Sequence, residues 1–195
     1  MSFDVRDLCE RDLQYALPIA NRVGGNDYYT DEILLSYLRH STRDGVCCAL
    51  AAWDSQATML GFRLTLPPGN WSRGRGRGHT PSAWPADVSR LGYFQSCFIE
   101  AQHTGQGIGR ALSEEAIRRL RSLGARGVVA HSWKESPHNS SQRALTRLGF
   151  TVITEHEDYW SEIPYHCHRC GTPCRCTALE MVLDLPELPH SAGGA

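Results

Sequence analysis

Four of the eight cysteines fall in one short stretch: Cys167, Cys170, Cys174 and Cys176, with the spacing C-x2-C-x3-C-x-C. A C-x-x-C-Gly turn presents two thiolates to one ion with backbone N–H support. Two more thiolates a few residues on can complete a tetrahedron. Structural Zn²⁺ is the expected occupant. Four thiolates close the coordination sphere, so the ion would be structural rather than catalytic. His166 and His168 are alternative ligands in place of one cysteine. An iron–sulfur cluster and disulfides are the competing uses, and disulfides are disfavoured in a reducing compartment. Cys47, Cys48 and Cys97 lie in apolar runs and read as core, while Cys9 carries no signal.

A second chemical signal is the run Thr104-Gly105-Gln106-Gly107-Ile108-Gly109-Arg110, placed between a strand pattern and a helix pattern. Glycines let a main chain approach a ligand closely, and a helix start offers free N–H groups and the positive end of a dipole. Together they form a cradle for phosphate. It is not a P-loop, because no Gly-Lys-Ser/Thr follows, and it is not a dinucleotide fingerprint, because the sixth position from Gly105 is Arg110. An ordinary tight turn is the bland alternative.

The elements that must position these residues follow from periodicity. Residues 3–8 alternate as a strand. Residues 10–22 read as a helix with Leu13, Leu17 and Ala20 on one face, stopped by Gly24-Gly25. Thr30-Asp31 can cap a second helix with Ile33, Leu34, Tyr37 and Leu38 inward. Residues 46–53 and 58–66 form a hairpin. Residues 70–90, rich in Gly, Pro and Arg, are an irregular insertion. A strand over 91–99 leads into the clearest helix, 107–123, whose apolar stripe includes Ile108, Leu112, Ala116 and Leu120. Then come a strand at 127–133, a short helix at 139–148, a strand at 150–160, the cysteine segment within 165–177 and a closing strand at 177–185. Residues 186–195 read as a flexible tail. The expected fold class is α/β (α+β): a mixed, mostly antiparallel sheet of about six or seven strands flanked by about four helices, in one domain spanning 1–195.

At this point two motifs become specific. Residues 99–112, Ile99 through the three glycines to Leu112, resemble the acetyl-CoA motif of the GCN5-related N-acetyltransferase (GNAT) superfamily. Residues 144–150, ending in Gly149-Phe150, resemble that superfamily's short helix and Gly-Phe stop, and the element order matches. The likeness covers roughly 3–160 and the last strand, leaving 70–90 and the cysteine segment as additions. It implies that the amides of Thr104, Gly105, Gln106, Gly107, Ile108 and Gly109 bind the diphosphate of CoA, with Arg110 as a basic neighbour. It implies that the strand end at Phe98 and Ile99 pairs with the pantetheine arm. Asn139 would bond to that arm, or else cap its helix. The implied reaction is attack of a primary amine of a small molecule or peptide on acetyl-CoA, with an N–H stabilising the oxyanion.

Four positions depart from the superfamily's pattern. Thr104 stands where Gln or Arg is usual. Gln95 and Tyr93 stand where a Glu or His often serves as base, and Leu145 replaces the usual Tyr acid. Water, or a substitute such as Tyr93, His131 or Tyr159, would then move the protons. Alternatively, the domain binds acyl-CoA without catalysis, or is a zinc-stabilised module that binds protein or RNA. The insertion at 70–90 could fold over substrate, with Trp71 or Trp84 as a wall and its Arg-Gly run attracting an anionic acceptor, or could be a solvated loop.

Charge and composition narrow the remainder. Lys+Arg is 20 and Asp+Glu 21, a net charge of -1, which argues against nucleic-acid binding driven by bulk charge. At 41% hydrophobic the chain can bury a core. No apolar run reaches the roughly 18 residues that span a bilayer, and no basic-then-apolar leader opens the sequence, so no membrane partner and a cytoplasmic location are expected. A homodimer stays open.

Overall fold

The structure is a computed structural model and describes residues 2–186. The tail expected over 186–195 lies, from 187 onward, outside the described residues. In chain order the elements are β1 (Phe3–Asp7), α1 (Leu13–Gly24), α2 (Asp31–His40), β2 (Thr42–Arg43), β3 (Val46–Cys47), β4 (Leu50–Asp54) and β5 (Met59–Leu66), followed by β6 (Leu91–Ile99), α3 (Ile108–Ser122), β7 (Gly127–Trp133), α4 (Ser140–Arg147), β8 (Thr151–His156) and β9 (Ala178–Asp184). Seven strands form one sheet in the order β1-β4-β5-β6-β7-β9-β8, and β2 and β3 make a separate ribbon. Every neighbouring pair in the sheet is antiparallel except β6 and β7.

Local chemistry explains most boundaries. Thr30 caps α2 by accepting the Ile33 N–H at 3.3 Å. The stripe Ile108, Leu112, Ala116 and Leu120 is buried, while Arg118 on the opposite side of α3 is exposed. Gly124, at φ 76°, ends α3 in the left-handed conformation. α3 and α4 cover one face of the sheet over Leu60, Phe94, Val128, Ala130 and Met181. α1, α2 and the cysteine segment cover the other face. All eight residues of β5 are buried, as expected of a central strand covered on both sides.

Three expectations need correction. The run 46–53 is not one strand, because the chain changes partners at 48–49: the Cys48 N–H bonds to the Ser41 carbonyl, and the Ala49 carbonyl accepts the Leu8 N–H. The strand expected over 150–160 stops at His156. A turn through Asp158, at φ 51°, then drives Tyr159 and Trp160 into the core. The helix expected from residue 10 opens with a 3₁₀ turn at Glu10–Asp12 before α1 proper.

Between its two readings, the segment 70–90 is laid on the sheet rather than left in solvent. Trp71 is 8% exposed, lies 4.8 Å from Tyr93 ring to ring, and donates its indole N–H to the Leu91 carbonyl at 2.6 Å. Gly74 and Gly76 pass so close to Tyr93 and Tyr159 that a side chain at either would clash, with a Gly74 Cβ lying 2.2 Å from the Tyr159 hydroxyl. The glycines of the Arg-Gly run are thus a packing requirement. No helix among the described residues is long and apolar enough to cross a membrane.

Candidate functional site

The parallel pair β6 and β7 is bonded only from Leu91↔Gly127 to Phe94↔Ala130. Beyond that, β6 runs to Ile99 and β7 to Trp133 without pairing to each other. The cause lies on the other side of β6. Leu64 faces Ser96 and Thr65 faces Phe94, so Gln95 is an extra residue in a bulge. A bulge bends and over-twists its strand, and here it separates residues 95–99 from β7. A wedge opens between two central strands, walled on one side by a main-chain edge of β6.

The β6 end of this wedge leads to the glycine turn. Gly105 and Gly107 have φ of 78° and 84°, which favours glycine, and a Cβ on either would meet no heavy atom within 4 Å. The turn is exposed from Thr104 to Gly107, and buried Ile108 anchors it to the core. The first intrahelical bond runs from the Ala111 N–H to the Gly107 carbonyl. The N–H groups of Ile108, Gly109 and Arg110 precede it and stand at the positive end of α3. An open, glycine-lined bend of this kind fits a diphosphate. The Thr104 hydroxyl bonds back to the Ala101 carbonyl at 2.8 Å. Arg110 pairs with Glu114 at 2.7 Å and is 75% exposed, so it lies at the rim. The Ile99 side chain lies under Gly109, at 3.7 Å from where a Cβ would stand, whereas Phe98 packs on Tyr28 and Tyr29. Asn139 occupies the N-cap position of α4 in a left-handed conformation but makes no side-chain cap bond. Ser136 serves instead, its hydroxyl accepting the Ser141 N–H at 3.0 Å.

Tyr93 and His131 meet, the Tyr93 hydroxyl lying 2.9 Å from His131 Nδ1. Both sit beneath the 70–90 segment. Burial pushes the His131 imidazole down to about 3 and raises the Tyr93 hydroxyl well above its ordinary value. An imidazole that holds its proton so weakly is a poor base at neutral pH. On the α1–α2 side, a polar trio lines the base of the wedge. Gln95 donates to the Tyr29 hydroxyl at 3.3 Å, and that hydroxyl lies 3.0 Å from Ser96 Oγ. Leu145 is buried in the core of the α3–α4 face and offers no polar group.

The four cysteines converge. Their sulfurs lie within 4.8 Å of one another, and the closer pairs, Cys170–Cys176, Cys170–Cys174 and Cys167–Cys176, are separated by 3.7, 3.8 and 3.9 Å. A tetrahedral ion with Zn–S bonds of about 2.3 Å spaces its sulfurs about 3.8 Å apart, so the arrangement fits one ion. The Arg175 N–H points at Cys170 Sγ at 3.1 Å, the support a thiolate needs. The segment grips the α1–α2 connection: Asn26 bridges to His166, and Tyr28 packs on Tyr165 at 5.1 Å. From the opposite side, Arg75 lies over the rings of Tyr28 and Tyr29 at 4.6 and 4.9 Å. One arginine of the Arg-Gly run is therefore engaged within the fold rather than free for an anionic partner.

The notch between two central strands is what the resemblance implied; sequence reasoning missed the Gln95 bulge that opens it, the Tyr28–Tyr29 contact and Glu180. The bulge is set by the register of two strands, which no local pattern reports. Glu180 carried a signal, as a lone carboxylate in the apolar run 178–183. It is fully buried and cross-strand from His131.

Comparison with known proteins agrees with this geometry. Residues 18–150 match the acetyltransferase (GNAT) family. A GCN5-related N-acetyltransferase from Kribbella flavida shares 21% identity, with 94% of this chain and 98% of that chain covered and a TM-score of 0.63. The yncA protein of Salmonella typhimurium, solved with its cofactor acetyl-CoA, shares 18% over 100% of this chain and 99% of its own, with a TM-score of 0.68. A ribosomal-protein-alanine N-acetyltransferase from Brucella melitensis shares 19% over 93% and 99%, with a TM-score of 0.65. No curated protein matches the sequence. With more than half its length matched, and with the mixed sheet and four helices expected of such a fold, the chain belongs to the acetyltransferase (GNAT) family.

Proposed function

We propose that the chain is an acetyl-CoA-dependent N-acetyltransferase that moves an acetyl group directly onto a primary amine of a small molecule or peptide. The observation that carries this reading is the wedge between β6 and β7 opening onto an exposed glycine turn at the start of α3. The free edge of β6 offers main-chain donors and acceptors that an extended pantetheine arm can take up as an added strand would. The N–H groups of 105–109 hold the diphosphate, the Thr104 N–H being turned back to the Ala101 carbonyl. With the thioester fixed, the amine is brought to it as a neighbour rather than a collision partner. The new N–C bond forms as the C–S bond breaks, a main-chain N–H stabilises the oxyanion, and the amine's proton leaves while the thiolate gains one. We assign the proton transfers to water, because Tyr93 and His131 are buried and paired with each other. In the proposed enzyme, the thiolates of Cys167, Cys170, Cys174 and Cys176 hold a structural Zn²⁺ that fixes the α1–α2 connection beside the acceptor side.

A second reading, acyl-CoA binding without catalysis, is favoured by Gln95 and Leu145, which stand where the superfamily places its proton-transfer groups. Calorimetry with acetyl-CoA, followed by thiol release across a panel of small amines and peptides with free N-termini, separates the two. Binding with amine-dependent thiol release supports the enzyme. Binding without release selects the non-catalytic reading, and no binding removes both. Tyr93→Phe should keep kcat within a few-fold of wild type, and a loss of two orders of magnitude would return the proton to the Tyr93–His131 pair.

A further inference from the structure

Three adjacent strands place two imidazoles and a carboxylate together beneath the 70–90 segment. His131 of β7 and Glu180 of β9 are directly paired across the ladder, and His156 ends β8 beside them. One ligand atom from each lies within 4.8 Å of the others. Glu180 is fully buried. Its Oε1 accepts the Trp84 indole N–H at 2.6 Å and the Thr80 N–H at 3.1 Å, and its Oε2 lies 2.7 Å from His156 Nε2. The His131 ring is held on its other side by the Tyr93 hydroxyl at Nδ1 and by the stacked Tyr159 ring, 4.4 Å away. Its Nε2 is buried and makes no hydrogen bond of normal geometry among the described residues, the Gly78 main chain being the other polar group near the ring.

From this geometry we infer a second metal site, separate from the four cysteines, in which His131 Nε2, His156 and Glu180 bind a divalent first-row ion such as Zn²⁺. Two imidazoles and one carboxylate are the donor set of a three-ligand zinc site, with a fourth position left for water. A closed hydrogen-bond cluster would satisfy every buried nitrogen, whereas His131 Nε2 is left over. The surrounding bonds are those that orient metal ligands. With the proton on Nδ1 and the Tyr93 hydroxyl accepting it, Nε2 presents its lone pair to the ion. Trp84 and Thr80 hold one carboxylate oxygen, and the other faces His156 Nε2 at 2.7 Å, a contact that an ion between the two would replace. Three neighbouring strands give the ligands a rigid base. An ion there would also fasten the 70–90 segment to the sheet, because its carboxylate ligand is bonded to Thr80 and Trp84. The inference rests on these contacts and not on the proposed acetyl transfer.

The test is metal content of the full chain, purified with Zn²⁺ supplied and dialysed against metal-free buffer. One equivalent more in wild type than in Glu180→Gln or His131→Asn, at unchanged circular dichroism, is the expected result. After Co²⁺ loading, the ion lost in these variants should lack the thiolate charge-transfer band. Equal metal content in wild type and variants overturns the site. If both variants fail to fold, His156→Gln at the less enclosed ligand replaces them. X-ray absorption of the zinc-loaded wild type showing sulfur ligands alone would likewise overturn the site.

Discussion

The diphosphate cradle can be tested with one methyl group and a matched control. Gly107 sits at φ 84° with no heavy atom within 4 Å of a would-be Cβ, so Gly107→Ala adds a methyl to open space. Its cost to the fold is that of the left-handed backbone alone, about 1–2 kcal/mol. For a chain of this size that lowers Tm by roughly 2–8 °C. Gly124, at φ 76° and equally open, pays the same backbone penalty at the far end of α3. Gly124→Ala is therefore the control for stability without binding. In the cradle, the new methyl stands where the diphosphate must approach the main chain. Losing one charge-assisted hydrogen bond costs about 1.5–3 kcal/mol, which is roughly ten- to 150-fold in Kd. Isothermal calorimetry with acetyl-CoA, at a temperature where both variants are folded, should show Gly107→Ala weakened by that factor and Gly124→Ala unchanged. Equal affinities for the two variants and wild type would refute the cradle argument.

Other perturbations follow from the same contacts. Cys174→Ser opens the thiolate set at a fully buried position, and metal analysis should show the loss of one equivalent together with a large fall in the unfolding midpoint. Trp71→Ala removes a buried ring and its bond to Leu91, and urea unfolding should register a loss of about 3–5 kcal/mol. It should also raise tryptic cleavage at Arg73, Arg75 and Arg77. Glu115, bonded to Arg118 and Arg119, is held down to about 2, below the unfolded value of about 4.3. Its contribution is therefore fully present above pH ~4.3 and lost as pH falls toward ~2. Glu115→Gln should destabilise the protein at pH 7 and match wild type near pH 2, as measured by denaturant melts across that range. A pH-independent difference would show that the loss is steric rather than electrostatic.

The sequence by itself determined much of the secondary structure. The stripe Ile108–Leu112–Ala116–Leu120, the Thr30 cap and the Gly124 stop are local signals, because period, capping and glycine conformation depend on neighbours within a turn. The glycine turn and the cysteine spacing were legible for the same reason, since each is a short contiguous segment whose residue types dictate its chemistry. Tertiary structure decided what those signals surround. The wedge exists because a bulge at Gln95, set by the register of β5 against β6, ends the β6–β7 ladder at Phe94. Register is a property of two strands, so neither strand's pattern contains it. The Tyr93–His131 pair and the His131–Glu180 crossing arise from strands far apart in the chain, and the Arg-Gly run became a packed cover only because Tyr93 and Tyr159 leave no room for side chains on Gly74 and Gly76.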